Sequence, residues 1–286
     1  MKKVNVYYKL VKPGIVYGNS LAAIAGFLLA SRGHIDFILF VGLLLGLGLA
    51  MAAACVLNNI LDRDIDKKMK RTKSRPLVTG EISLVSAGVY GTILGLLGFG
   101  ILAVFTNWLT LGLVGGALFL YVVVYGIAKR KTVYSTLIGT LPGAIPPVAG
   151  YVAVTNMFDM GAGLLFMALV LWQMAHFYSI AVYRRDEYAA ADLPVISVKS
   201  GVRTAKRQII VYVMLFLLAA LLLTYFSYAG IVFALGMLTI SAMWLARAVR
   251  GLQAEDDVRW AKGMFGFSLK VLLLFCLLLS VDAWLV

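Results

Sequence analysis

Charge is scarce in this chain: of 286 residues only 14% are charged while 62% are hydrophobic, and the mean hydropathy is +0.93. A water-soluble domain cannot hide that much apolar surface in one core, so the solvent is lipid. Cysteine is scarce too. Cys55 and Cys276 are the two present, both inside apolar stretches, which excludes a disulfide framework and leaves them as small packing residues. The polar/apolar alternation of a lipid-facing β-barrel is missing as well, and backbone in hydrocarbon must otherwise bond internally as helix.

What is present is a series of apolar stretches, each of about 17–23 residues and so long enough to cross about 30 Å of hydrocarbon as helix. Nine occur, near 14–31, 37–57, 82–104, 108–128, 135–155, 161–182, 208–226, 229–248 and 264–285. The expectation is an all-α membrane protein, a bundle of nine transmembrane helices forming a single domain over 1–286. Eight spans follow the first, so its basic start reads as an uncleaved anchor rather than a signal peptide.

A net charge of +13 would suggest nucleic acid in a soluble protein. Here the positions of the basic residues explain it. Of the 26 lysines and arginines, all but Arg32 and Lys270 fall before span one or in the loops after spans two, four, six and eight. By the positive-inside rule those loops and the N-terminus are cytoplasmic, and Val286 is periplasmic. No nucleic-acid partner is expected; the lipid bilayer is.

The outward loops are short, whereas two inward loops, near 58–81 and 183–207, mix acids, bases and tyrosines. Between them, span five contains Pro142, Pro146 and Pro147 among Gly139, Gly143 and Gly150. Its backbone ladder must break there, and freed carbonyls are tolerated in a membrane only beside protein or a wet cavity. Span five is thus a candidate cavity wall.

Asn58, Asp62 and Asp66 recur at four-residue intervals, which on a helix leaving span two sets all three on one face. Two carboxylates and an amide oxygen are hard ligands suited to Mg²⁺, and a helix C-terminus attracts a cation rather than a phosphate. Beyond them Arg63, Lys67, Arg71 and Arg75 can hold phosphate oxygens through charge-assisted hydrogen bonds. Together they describe a diphosphate clamp. An ordinary positive-inside loop with solvated acids is the plainer reading, but it does not require acids at helical spacing beside Asn58. Asp64 faces elsewhere and is expected to pair with a neighbouring base.

These residues, Asn58-Asn59-Ile60-Leu61-Asp62-Arg63-Asp64-Ile65-Asp66 followed by Arg71-Thr72-Lys73-Ser74-Arg75-Pro76-Leu77, resemble the first signature of the UbiA-type intramembrane prenyltransferases. The resemblance implies metal and diphosphate binding, and hence catalysis, at Asn58, Asp62 and Asp66. A second set, Leu171-Trp172-Gln173-Met174-Ala175-His176-Phe177-Tyr178, then Tyr183-Arg184-Arg185-Asp186-Glu187-Tyr188 and Asp192-Leu193-Pro194-Val195, is similar to the heme-prenylating branch of that family. With Lys12-Pro13-Gly14 and Tyr134-Ser135-Thr136-Leu137-Ile138-Gly139 the likeness spans nearly the whole chain. It implies a bacterial inner-membrane enzyme with its site toward the cytoplasm. The implied reaction uses Mg²⁺, farnesyl diphosphate as donor and heme B as acceptor, and hands the product to heme A synthase or to terminal oxidase assembly.

One departure stands out. The wider family often carries a second Asp-x-x-x-Asp, whereas no two of Asp186, Glu187 and Asp192 lie four apart. A second diphosphate or metal contact is carried over to Glu187, with Asp186 and Tyr183 assisting. Lys199 and Arg203 can hold phosphate oxygens or, as the preferred reading, anionic lipid. His176 is a candidate axial ligand for heme iron and Trp172 a candidate wall for a flat porphyrin, against a packing role for both. Two other functions compete: prenylation of a different aromatic acceptor, of the 4-hydroxybenzoate or chlorophyll type, and secondary transport through the broken fifth span.

Overall fold

The computed structural model describes residues 2–282 and 284. Nine membrane-length helices occur among them: Pro13–Ser31, Phe37–Leu61, Leu84–Phe105, Trp108–Lys131, Ser135–Thr155, Met160–Tyr183, Val202–Tyr225, Ile231–Gln253 and Asp257–Asp282, called spans one to nine. The apolar runs locate all nine. Spans seven and nine begin several residues before their apolar runs, at Val202 and Asp257, because a helix continues past the hydrocarbon wherever its polar turns face water. The expected end of span nine at 285, and the side on which Val286 lies, fall outside the described residues.

Three of the four short turns opposite the basic loops supply a capping oxygen. Asp36 accepts from the Ile38 and Leu39 amides, Asn107 from Thr110 and Asp159 from Ala162, while Ser83 caps span three from the basic side through Ser86. First-turn amides that would be orphaned near lipid are thereby paired.

Consecutive spans neighbour one another, and span nine returns to span one to close the ring. Spans five and six are the most enclosed, 67% and 78% buried, against 17% for spans three and four. Lipid tails are as apolar as leucine, so close packing of small residues, rather than hydrophobic driving force, joins the helices. Spans one and five show this directly: a Cβ on Gly26 would overlap the Pro147 carbonyl, and one on Gly150 the Ala23 carbonyl.

Span five breaks as its prolines require, into Ser135–Gly143 and Ile145–Thr155 with Ala144 between. The two long basic-side loops fold onto each other. Ile65 and Met69 from the first pack with Ala191 and Leu193 from the second, and Lys68 Nζ lies 2.9 Å from Asp192 Oδ2. That pair is exposed and contributes about 0.2–1 kcal/mol, so the apolar contact is the stronger tie.

Candidate active site

A cavity of about 640 Å³ opens beneath these loops, lined by spans one, two, four, five, six and nine. Three of its polar contacts share one pattern. Lys12 Nζ donates to Asn58 Oδ1 at 2.8 Å, Lys129 pairs with Asp62, and Arg75 Nη1 lies 2.6 Å from Asp66 Oδ2. Every member of the expected stripe is therefore matched to a base from another part of the chain.

The stripe survives a helix boundary. Span two ends at Leu61 and a short helix, Arg63–Lys68, follows, with Asp62 at the junction. Even so, Asp62 N bonds Asn58 O at 2.9 Å and Asp66 N bonds Asp62 O at 2.8 Å. Helical registry thus carries Asn58, Asp62 and Asp66 to one cavity wall.

The bases arrive by different routes. Lys12 precedes Pro13, which bars right-handed helical geometry to it, and it adopts φ 50° at the start of span one. The turn is held by Asn59 Nδ2 donating to Leu10 O at 2.9 Å. Burial lowers the Lys12 ammonium from 10.5 to about 8, although Asp62 and Asp66 oppose the change. Lys129 ends a face of span four that also carries Tyr121 and Tyr125, whose rings stack with centroids 5.8 Å apart. A π-helical turn, Leu120–Val124, sits inside that face, with Tyr125 N reaching back five residues to Leu120 O. Such wide turns concentrate at functional sites.

Several expected contacts are not brought together. Arg63 does not line the cavity; its Nε donates to Leu77 O at 3.0 Å, because it follows Asp62 by one residue and so points about 100° around the helix. Lys67 and Asp186 are exposed and also off the wall. Glu187 is bound at 2.8 Å by Arg184, and no group of three or more His, Cys, Asp and Glu side chains able to hold a metal occurs among the described residues. Arg184 lines the cavity and Glu187 does not, although Glu187 Oε2 is buried without a hydrogen-bond partner among the described residues. Lys199 and Arg203 are exposed and lie apart from the wall.

Arg71, Arg75, Tyr183, His176 and Trp172 do line the cavity. Asp64 finds its expected base in Arg130, at 2.5 and 2.7 Å, which holds the carboxyl down at about 2. The contributions of Lys12, Lys129, Tyr121, Tyr125, Arg184 and Tyr188 were not predicted as site contacts. Burial raises the Tyr188 phenol, keeping it a hydrogen-bond donor.

The donor set fits a divalent cation. Asp62 and Asp66 each retain one carboxylate oxygen without a protein partner among the described residues. Mg²⁺ needs only one or two carboxylates when phosphate oxygens and waters complete its octahedron.

Further along span six, His176 Nδ1 lies 2.7 Å from Ser268 Oγ. That hydroxyl donates to Phe265 O at 2.6 Å, so it can only accept from the neutral imidazole. The network assigns the proton to Nδ1 and leaves Nε2 with a free lone pair. Trp172 stacks on the ring at 4.8 Å and donates its indole N–H to Ser268 O at 2.9 Å.

Comparison with known proteins agrees with this architecture. A family model described as "UbiA prenyltransferase family" matches residues 20–275. The protoheme IX farnesyltransferase of Protochlamydia amoebophila (strain UWE25) is 44% identical over 98% of this chain and 99% of its own. That of Serratia proteamaculans (strain 568) is 45% identical over 98% and 95%. Among solved structures, a UbiA homolog from Archaeoglobus fulgidus bound to DMAPP and Mg²⁺ superposes with TM-score 0.65 at 17% identity, over 96% of this chain and 99% of that one. A UbiA homolog from Aeropyrum pernix K1 gives 0.72 at 18% over 94% and 96%. At these identities the structures share the fold.

Proposed function

Because this chain belongs to the UbiA prenyltransferase family, we propose that it transfers a farnesyl group from farnesyl diphosphate to a vinyl group of heme B, giving heme O and diphosphate. It is a Mg²⁺-dependent enzyme of a bacterial inner membrane. The carrying observation is the row of three acceptors, Asn58, Asp62 and Asp66, each matched to a base on the wall of one membrane cavity.

Asp62 and Asp66, with Asn58, hold the metal. Bound there, Mg²⁺ would supply positive charge against the departing diphosphate. With the acids engaged by the metal, Lys12, Lys129 and Arg75 would be free to hold phosphate oxygens. Arg71 and Arg184 reach the same space from the folded loops, whereas Arg63 and Lys67 serve the loop itself. The apolar walls keep the allylic cation from bulk water. At the other end of the acceptor region, Nε2 of His176 ligates heme iron, with Ser268 as its positioning partner and Trp172 against the porphyrin face.

The basic loops and the cavity mouth face the cytoplasm, following the charge asymmetry.

The test is direct. Purified enzyme with heme B, farnesyl diphosphate and Mg²⁺ yields heme O by chromatography and mass, and Asp62→Asn or Asp66→Asn each lowers turnover by at least about a hundredfold. Wild-type protein that makes no heme O while membranes from the same cells do would refute the assignment.

A further inference from the structure

We propose that Gln173, together with the broken turn of span five, holds the water molecule that ends the reaction. The inference rests on the farnesyl transfer proposed above, whose product carries a hydroxyl supplied by neither substrate.

Gln173 lies within span six, 5% exposed, on the cavity wall. Its Nε2 donates to Leu169 O at 3.1 Å and Thr140 O at 3.2 Å. Both amide hydrogens are spent, and these partners fix the orientation, since the flipped amide would set its oxygen against two carbonyl oxygens. Oε1 has no partner among the described residues, yet it is absent from the polar atoms that are sealed without one. It therefore opens on the cavity.

Oε1 rests against Gly143, where a Cβ would overlap it, so glycine is what leaves room for the amide. Gly143 adjoins the helix break. Pro146 and Pro147 have no N–H, and the carbonyls of Pro142 and Gly143, four residues before them, lack their helical donors. Pro142, Gly143 and Gln173 all line the cavity; the Pro142 carbonyl also meets the Ala144 N–H, while Gln173 Oε1 has no donor among the described residues.

A buried acceptor without a hydrogen is costly, and buried polar sites of this kind are where water is retained. A water held by acceptors alone gives up both hydrogens and turns its lone pairs outward. That is the face a nucleophile must present. Trp172, the neighbouring polar side chain on this helix, cannot play the part because its N–H is committed to Ser268.

The chemistry balances. The terminal vinyl carbon bonds to C1 of the farnesyl chain as the C1–O bond breaks and its electron pair leaves on diphosphate. Positive charge rests on the inner vinyl carbon, beside the porphyrin. The water's lone pair bonds to that carbon, and its surplus proton passes to the released diphosphate. Without a held water the same cation sheds a proton from the adjacent carbon instead, giving an alkene lighter by one water.

The experiment uses the full-length enzyme in lipid nanodiscs with heme B, farnesyl diphosphate and Mg²⁺, and reads products by mass. Gln173→Met, of similar length but without the acceptor, should still release diphosphate and prenylate heme, while the ratio of dehydrated to hydroxylated product rises about tenfold, the equivalent of one lost hydrogen bond. An unchanged ratio in Gln173→Met overturns the proposal, as does a folded Gln173→Met enzyme that no longer releases diphosphate. If Gln173→Met does not accumulate in membranes, Gly143→Ala, which displaces the same oxygen, is scored on the same ratio and decides. Wild-type enzyme that makes no prenylated heme of either kind sinks the transfer reading and this one with it.

Discussion

Asp62 and Lys129 are both nearly enclosed, their side chains 14% and 9% exposed, and neither forms another ion pair among the described residues. Removing one member leaves the other buried and unpaired, which costs about 3–5 kcal/mol. Lys129→Met should therefore lower the melting temperature in detergent, and adding Asp62→Asn should recover most of the loss without recovering turnover. A double variant no more stable than Lys129→Met would show that the pair is not what holds this wall together. Lys12 makes a different prediction, because burial has brought its ammonium down to about 8. As pH rises through 8 the site loses a positive charge, so kcat/KM for farnesyl diphosphate should fall there, and Lys12→Arg should flatten the profile. Stability moves the opposite way: the unfolded chain holds that proton up to the ordinary value of 10.5, so folding gains as pH rises between about 8 and 10.5. These two lysines were hidden in the sequence by their surroundings. Basic residues at cytoplasmic helix ends are what topology alone demands, and nothing local distinguishes Lys129, which meets an acid, from Lys131, which does not line the cavity.

At the scale of the helices, the contact between spans one and five is tight enough to test. Gly150→Ala sets a methyl group on the Ala23 carbonyl, and overpacking of this kind costs about 1–3 kcal/mol. The expected readout is a lower melting temperature with the reaction's KM for heme also raised, since span one and span five both line the cavity. A variant as stable as the parent would mean the two helices can separate freely. The elements were legible because hydrocarbon permits so few structures: apolar length gave the nine spans, and three prolines gave the break in span five. The acid stripe was legible for the same reason, since four-residue spacing survives the boundary at Asp62. Arg63 lies off the cavity wall because one residue beyond Asp62 is a quarter-turn off the stripe, a displacement already present in the spacing. Glu187 pairs with Arg184, three residues back, and sequence does not say which of two such neighbouring charges lines the cavity.

For the molecule as a whole, the charge asymmetry makes orientation a single measurable property. Lys73 lies exposed in a basic loop and Met157 at 59% exposure in an opposite turn. Cysteines placed singly at these sites, with Cys55 and Cys276 buried, should divide cleanly: in spheroplasts a membrane-impermeant maleimide labels Met157→Cys and spares Lys73→Cys. The reverse pattern would turn the cavity mouth to the periplasm and away from the proposed substrate supply. The wide turn of span four bears on the same bundle. Because Leu120–Val124 carries one residue more than an α-helical turn, it acts as a removable spacer. Deleting one residue there relaxes the turn to ordinary pitch and leaves Lys129 and Arg130 in phase with Asp62 and Asp64, while a deletion nearer Lys129 swings both bases about 100° off their acids. Span four can thus change length at one address only, and the tyrosine nearest that address, Tyr121, is the side chain whose aim such a change would reset.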